Sequence, residues 1–322
     1  MSKKDNLRQY IVEQIASKDL STKEARSSFY KQTAKKFGVK WETVVGVYMG
    51  VKRSNKVAKQ FDNIIKKAAA VVKQDKRAAV SSVQLKPTAD SPEPFVGGDP
   101  NNVLIIGDTH EPFCKEGYLE FCREMQEKYN CGTVVHIGDM VDNHAMSYHE
   151  HDPEGHSIGD EYKLALERCQ RWYHTFPNVK ICIGNHDALP FRKAFTMGLP
   201  STWLKSYQEI LQSPKTWEWD FIHQVNGVIY QHGTGMSGEM AAINAARENR
   251  QSTVIGHLHT VCNTRFLASY KDLIFGLSVG CGIDHKAYAF AYGKEQTRKP
   301  VISCAVVLAN GTPINIPMNL GS

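Results

Sequence analysis

Five apolar runs in the chain, "NVLIIGD", "TVVHIGD", "VKICIGN", "GVIYQHG" and "STVIGHLH", share one form. Each is short, rich in Val and Ile, and stops at a glycine or at an acid, amide or imidazole. Runs so short and so continuously apolar read as strands buried on both faces, since an amphipathic helix repeats its apolar residues every three to four positions. Amphipathic segments, about residues 117–129 and 160–176, separate the early runs. That order predicts a layered α/β core with functional groups at the carboxyl ends of the strands. The later "NTRFLASYKDLIFGLSVGCG" and "KPVISCAVVLANGTPINIP" look all-strand, with a hairpin signal at "ANGT". They predict a mixed sheet, or a second sheet packed on the first.

The residues that follow the strands carry chemistry. "IIGDTH" supplies Asp108 and His110, and "HIGDMVDN" supplies Asp139 and Asp142. "IGNHD" supplies Asn185, His186 and Asp187, "YQHG" supplies His232, and "GHLH" supplies His257 and His259. Because strand side chains alternate, residues at i and i+2 share a face, so His257 and His259 are expected to point into one space beyond the sheet edge. Hard carboxylate and amide oxygens mixed with imidazole nitrogens suit Mn²⁺, Fe, Zn²⁺ or Ni²⁺, and are too nitrogen-rich for a dedicated Ca²⁺ site. The ligands are too many for one ion, and two ions sharing a carboxylate fit the count.

The order DxH, GDxxD, GNHD, H and GHxH resembles the calcineurin-like metallophosphoesterase family, from about Asn101 to the C-terminus. The resemblance implies a metallophosphoesterase-type layered β-sandwich flanked by helices. It implies that Asp108, His110 and His259 bind a first metal, that Asn185, His232 and His257 bind a second, and that Asp139 bridges them. His186 would stay off the metals near the leaving oxygen, with Asp142 orienting its ring. The cofactors would be two divalent ions, Mn²⁺ first, with Fe, Zn²⁺, Ni²⁺ or Mg²⁺ as alternatives. Their bridging hydroxide would attack a phosphate ester in line, with no covalent enzyme intermediate. Asp187 is expected to be a turn or supporting group rather than a ligand, and His136 to face the core.

One departure bears on the substrate. Ser/Thr protein phosphatases of this superfamily carry an arginine directly after GDxxD, and GNHE followed by a second arginine. Here Asn143 and Asp187 occupy the equivalent places, with Arg192 as a partial substitute. This disfavours a phosphomonoester dianion gripped bidentately and favours a diester or nucleotide. The imidazole-rich stretch 143–156 should lie at the mouth of the site, where His149 or His151 could meet substrate or metal. With "GDEYKLALERCQRWYHTFPNVK" after it, this block resembles uncharacterised phosphoesterases of bacteriophage genomes.

The N-terminal third differs in composition. Residues 1–85 hold 19 Lys and Arg against 7 Asp and Glu, a balance of 19 − 7 = +12, so the remainder of a chain of net charge +6 carries −6. "STKEARSSFYKQTAKKFGVKWETVVGVYMGVKR" has the form of a helix-turn-helix, with Ala34 where the helices cross and Gly38 at the turn. Phe37, Val39, Val44 and Val47 fall at its packing positions. Trp41, Glu42, Thr43, Tyr48 and Lys52 are candidates for the exposed face, and Lys35, Lys36, Lys40, Lys52 and Arg53 for phosphate contacts. Asn55–Ala79 reads as a further basic helix. The expected domains are therefore 1–85 (small, all-α, helix-turn-helix-like), a linker over 86–101 rich in Pro and Gly, and 102–322 (metallophosphoesterase).

Eight scattered cysteines without a CxxC pair, no signal-like segment and no apolar run of roughly 18 residues point to a reduced, cytoplasmic protein, in the host cytoplasm if phage-encoded. The functional expectation is a phosphodiesterase or nuclease on DNA, bound through residues 1–85. The alternatives are a small-nucleotide or protein phosphatase with a docking module, and a DNA-binding regulator whose hydrolase domain has lost activity. No expected ligand is missing, which counts against the last.

Overall fold

The structure, a computed structural model, describes residues 6–7, 9–11, 14, 22–49, 91–147, 156–286 and 299–319. Lys52, Arg53, His149, His151, the expected helix Asn55–Ala79 and residues 86–90 of the expected linker lie outside the described residues. The chain divides into two compact units, Met1–Gln84 and Leu85–Ser322.

In the first unit, Thr22 caps helix α1 (Lys23–Phe37) by accepting from the Ala25 N–H, and Gly38, at φ +58°, closes it with its own N–H on Ala34 O. Lys35 and Lys36 fall in the last turn, where cations complement the helix dipole. Helix α2 (residues 41–49) follows after a short turn. Leu7, Ile11, Phe29, Val44 and Tyr48 form the buried centre, with Phe37, Val39 and Val47 packed against it. Tyr48 thus corrects the sequence expectation of an exposed face. It lies four residues after Val44, so the helical period that buries one buries the other. Its ring sits edge-on to Tyr30 at 5.2 Å. Trp41, Glu42, Thr43, Lys35, Lys36 and Lys40 are exposed, and Lys36 Nζ lies 4.0 Å over the Tyr10 ring.

The second unit is built on two mixed sheets. In the first, β1 (Asp99–Ile106), β2 (Cys131–His136), β3 (Val179–Cys182) and β4 (Trp217–Asp220) run parallel. Beyond β1, β10 (Ser303–Val307) and β11 (Pro313–Pro317) extend the sheet antiparallel. The second sheet orders its strands β5 (Ile222–Val225), β6 (Val228–Gln231), β7 (Thr253–Ile255), β9 (Leu273–Val279) and β8 (Cys262–Ala268). There β6, β7 and β9 are parallel, and both edges are antiparallel. Among the described residues, five α-helices complete the unit: α3 (Tyr118–Lys128), α4 (Ile158–Thr175), α5 (Leu189–Thr196), α6 (Tyr207–Leu211) and α7 (Ala241–Asn249).

The continuous apolar run of β1 follows from burial on both faces. Leu104 and Ile106 point to α3 and α4 with Tyr118, Cys122, Trp172 and Phe176. Val103 and Ile105 point to the second sheet and meet Tyr230, Val254, Leu277 and Val279. Each such side chain contributes roughly 1.5–3 kcal/mol on leaving water. The expected layered α/β sandwich with flanking helices is therefore present. β1 begins at Asp99, inside the stretch expected to be linker, and Thr175 Oγ1 and Arg123 Nε donate to Pro92 O and Glu93 O just before it. All eight cysteines are free thiols, seven of them buried. Among the described residues no helix is long and apolar enough to cross a membrane.

Candidate metal centre

Parallel strands aim their carboxyl ends at one edge, so the turns after β1, β2, β3, β6 and β7 converge. Three clusters of ligand atoms result, each with its members within 4.8 Å of one another. Asp108, His110 and His259 form one, Asp139, His232 and His257 another, and His110, Asp139 and His186 a third. Asp139 belongs to two of them. Its Oδ2 lies 3.0 Å from His232 Nε2 and 3.5 Å from His110 Nε2. Asn185 joins through Oδ1, 3.1 Å from His232 Nε2. All seven candidate ligands are thus in one place, and His186 stands against them.

The two imidazoles of "GHLH" reach different clusters by a route that strand alternation does not describe. β7 ends at Ile255, and His257 has a left-handed backbone, φ +67°. The turn sends the His257 ring to His232, with centroids 5.2 Å apart, and the His259 ring to His110, at 4.9 Å. His110 (φ +47°) and Asp139 (φ +49°) are left-handed as well. Such conformations cost about 1–3 kcal/mol each in a non-glycine residue and persist where the surroundings over-determine them.

Supporting bonds fix which nitrogen faces the cluster. His232 Nδ1 donates to Ile137 O at 3.0 Å, and His110 Nδ1 to Asp142 Oδ1 at 2.5 Å. Each Nε2 is thereby turned inward, where an ion would displace any proton and take up the lone pair. Asp142 was expected behind His186. Its carboxylate lies nearer to His110 and is 3.3 Å from His186 Nδ1, while its backbone carbonyl accepts from that Nδ1 at 2.5 Å. Asp142 therefore braces both rings. Asp187 ties the loops together, accepting from the N–H groups of Met140, Val141 and Gly184. His136 is buried in the core, where it accepts from Gly138 N–H and pairs with Thr109 Oγ1, and burial lowers its pKa to about 3.

The electrostatics fit a cationic occupant. Burial opposes protonation of His232, yet Asp139 and Asp108 raise its pKa to about 10. Burial would raise Asp139, but the neighbouring His232 and His186 hold it well below the usual carboxylate range. His110 is driven well below its ordinary value, first by burial and then by His186, so it stays a neutral donor. Asp108 Oδ1 is buried with no hydrogen-bond partner, a state that costs about 1–3 kcal/mol or more for a charged group unless a cation meets it. Buried carboxylates, an amide oxygen and inward lone pairs are the donor set of a borderline divalent ion, and the residues present fit two.

Two of the motif glycines are steric requirements. A Cβ on Gly184 would stand 2.0 Å from Asp139 Oδ1, and one on Gly256 2.3 Å from Asp108 Oδ1. Gly184→Ala should therefore push Asp139 from its place. The added methyl would also meet the Asp139 backbone N at 2.4 Å, so the expected result is loss of metal from the Asp139, His232 and His257 cluster together with a lower melting temperature, checked by metal analysis alongside thermal denaturation.

Two further residues support the loops, and one of them, Glu161, lies outside the sequence motifs. Glu161, buried on the inner face of α4, accepts from His144 N–H at 2.6 Å and Ala145 N–H at 2.8 Å, pinning the turn after Asp142. An acid amid the apolar positions of an amphipathic helix was the available hint. Asn143 donates from Nδ2 to His186 O at 3.0 Å. Arg192, on α5, lines a cavity that also includes Asn185.

Residues 102–261 match the family model for calcineurin-like phosphoesterases. A comparison with curated proteins gave no match. Similar solved structures include Vacuolar Protein Sorting 29 from Cryptosporidium parvum, at 16% identity over 70% of this chain and 100% of that one, with a TM-score of 0.35. A metallophosphoesterase from Sphaerobacter thermophilus is 16% identical over 68% of this chain and 88% of its own, with a TM-score of 0.37. The phosphoesterase Yfce from E. coli is 15% identical over 68% and 100%, with a TM-score of 0.32. The chain therefore carries a calcineurin-like phosphoesterase domain and is a metal-dependent phosphoric ester hydrolase.

Proposed function

We propose that the chain is a phosphodiesterase acting on DNA. In this reading Asp108, His110 and His259 hold one divalent ion and Asn185, His232 and His257 a second, with Asp139 serving both. Mn²⁺ is the first choice for a set of this hardness. A pair of such ions supplies a Lewis-acid clamp on the phosphate and a nucleophile drawn from water. The protein's own part is orientation and proton delivery. Burial works against charge on His186, but Asp139 and Asp142 outweigh it and raise its pKa, favouring the protonated ring. With Nδ1 engaged by Asp142 O, Nε2 is the atom to give a proton to the leaving oxygen.

The observation that carries the diester reading is Asn143. At the place where related phosphatases set an arginine, its amide is committed to His186 O and offers no charge to a dianion. A diester has one negative charge fewer to satisfy. The basic N-terminal unit supports DNA as the polymer, through Lys35, Lys36 and Lys40 with Trp41 and Thr43 on the exposed start of α2. Free thiols throughout fit a reducing cytoplasm, and a bacteriophage source belongs to the same reading.

With Mn²⁺, bis-p-nitrophenyl phosphate should be turned over at least ~10-fold faster than p-nitrophenyl phosphate at equal concentration, since discrimination by one charged contact is worth about 1.5–3 kcal/mol. The reverse preference would replace this reading with a monoester phosphatase whose N-terminal unit docks proteins. For the DNA arm, Lys35→Glu combined with Lys36→Glu and Lys40→Glu should flatten the salt dependence of DNA affinity by about 0.9 per lost phosphate contact. An unchanged slope removes Lys35, Lys36 and Lys40 from DNA binding.

A further inference from the structure

Between β3 and β4 the chain inserts α5, a short turn at Ser201–Trp203 and α6. Together they wall a cavity of about 880 Å³ whose lining also includes Gly184, Asn185 and Thr234, two residues after His232. The volume lies within the roughly 300–1,000 Å³ of small-molecule sites. Phe191 and Phe195, one turn apart on α5, line it together with Tyr207 and Arg192.

The aromatic wall is fixed on one side and open on the other. Phe191 and Tyr207 pack with centroids 4.4 Å apart, and Tyr207 stacks on Trp219 at 5.5 Å and 9°. At the rim Phe195 is 84% exposed. Phe221, just after β4, is exposed and lines the same cavity. A large aromatic ring left in water beside a catalytic centre marks a surface that gains by being covered.

Asn185 belongs to both places, since its Oδ1 is 3.1 Å from His232 Nε2 and its side chain lines the cavity. The cavity therefore adjoins the place where a phosphate would meet the metals. An aliphatic chain would need neither ring faces nor a guanidinium. A planar, polar base uses both, through stacking and through Arg192.

We infer that this cavity takes the nucleobase next to the scissile phosphate of an unpaired DNA strand, stacked against Phe195 and Phe191. The inference rests on the diesterase reading for the chemistry, and its test is separable from that reading. A hydrolysis-resistant phosphorothioate pentathymidylate, and an abasic oligomer of equal length and linkage, are titrated into the Mn²⁺-loaded full chain. Stacking of one base predicts about 10-fold tighter binding of the thymidylate. Phe195→Ala should erase the difference, and Phe195→Tyr should retain it. Because Phe195 is exposed, its truncation leaves the core intact. Equal binding of the two oligomers overturns the inference, and so does a preference that survives Phe195→Ala. Failure to hydrolyse bis-p-nitrophenyl phosphate counts only against the diesterase reading.

Discussion

Asp139→Ala lowers turnover of any phosphate ester by about 10³- to 10⁵-fold, the range that several kcal/mol of Lewis-acid stabilisation convert to. It also reduces bound metal below two equivalents per chain. The expectation follows from where the carboxylate sits. Asp139 is 1% exposed and is a member of two ligand clusters. Its Oδ2 faces the Nε2 atoms of His232 and His110, and its Oδ1 accepts from the His186 N–H at 2.8 Å. Truncation removes the counter-charge for His232 and His186 at once and leaves the part-buried His186 N–H without its acceptor. Asp139→Asn separates the two losses, because an amide keeps an oxygen for His186 N–H but carries no charge. Metal content and turnover measured on both variants decide the matter. An Asn variant that holds two equivalents and turns over normally would remove Asp139 from between the ions.

Much of this site was legible because a strand end is a local signal. The run "VLII" had to be buried on both faces, and the packing of Leu104 and Ile106 against helices with Val103 and Ile105 against a sheet is what that run describes. Ligand types after each strand could likewise be read in order. Less legible were features that depend on a backbone turn or a distant partner. The placement of His257 and His259 follows from φ +67° at His257, which no alternation rule contains. Asp142 braces His110 as well as His186 because the left-handed turns at His110 and Asn143 bring both rings to its carboxylate and its carbonyl. Glu161 works across 16 and 17 residues of sequence, from a helix to a loop, and nothing local announces its partners. Tyr48 is different in kind. Its spacing of four residues from Val44 puts it on the same buried face of the helix.

His186→Ala slows hydrolysis by about 10²- to 10⁴-fold while leaving the metal content at two equivalents, as expected of a lost general acid. The separation of the two effects has a structural cause. The hydrogen bond from His186 to Asp139 comes from the main-chain N–H, which every substitution but proline retains. What its ring gives is a proton at Nε2, in a ring held through Nδ1 by Asp142 O and with its centroid 4.6 Å from that of His110. Asp142 keeps its bond to His110 when the His186 ring is gone, so the brace on that metal ligand survives. A general acid matters most when the departing oxygen is a poor leaving group. The loss should therefore be near the top of the range for an alkyl ester such as a DNA linkage, and much smaller for a p-nitrophenyl ester, whose leaving group departs without a proton. Equal losses for both esters would mean that the ring acts by charge on the phosphate rather than by proton transfer. Loss of metal in the variant would mean that the third cluster, His110, Asp139 and His186, is itself a place where an ion binds.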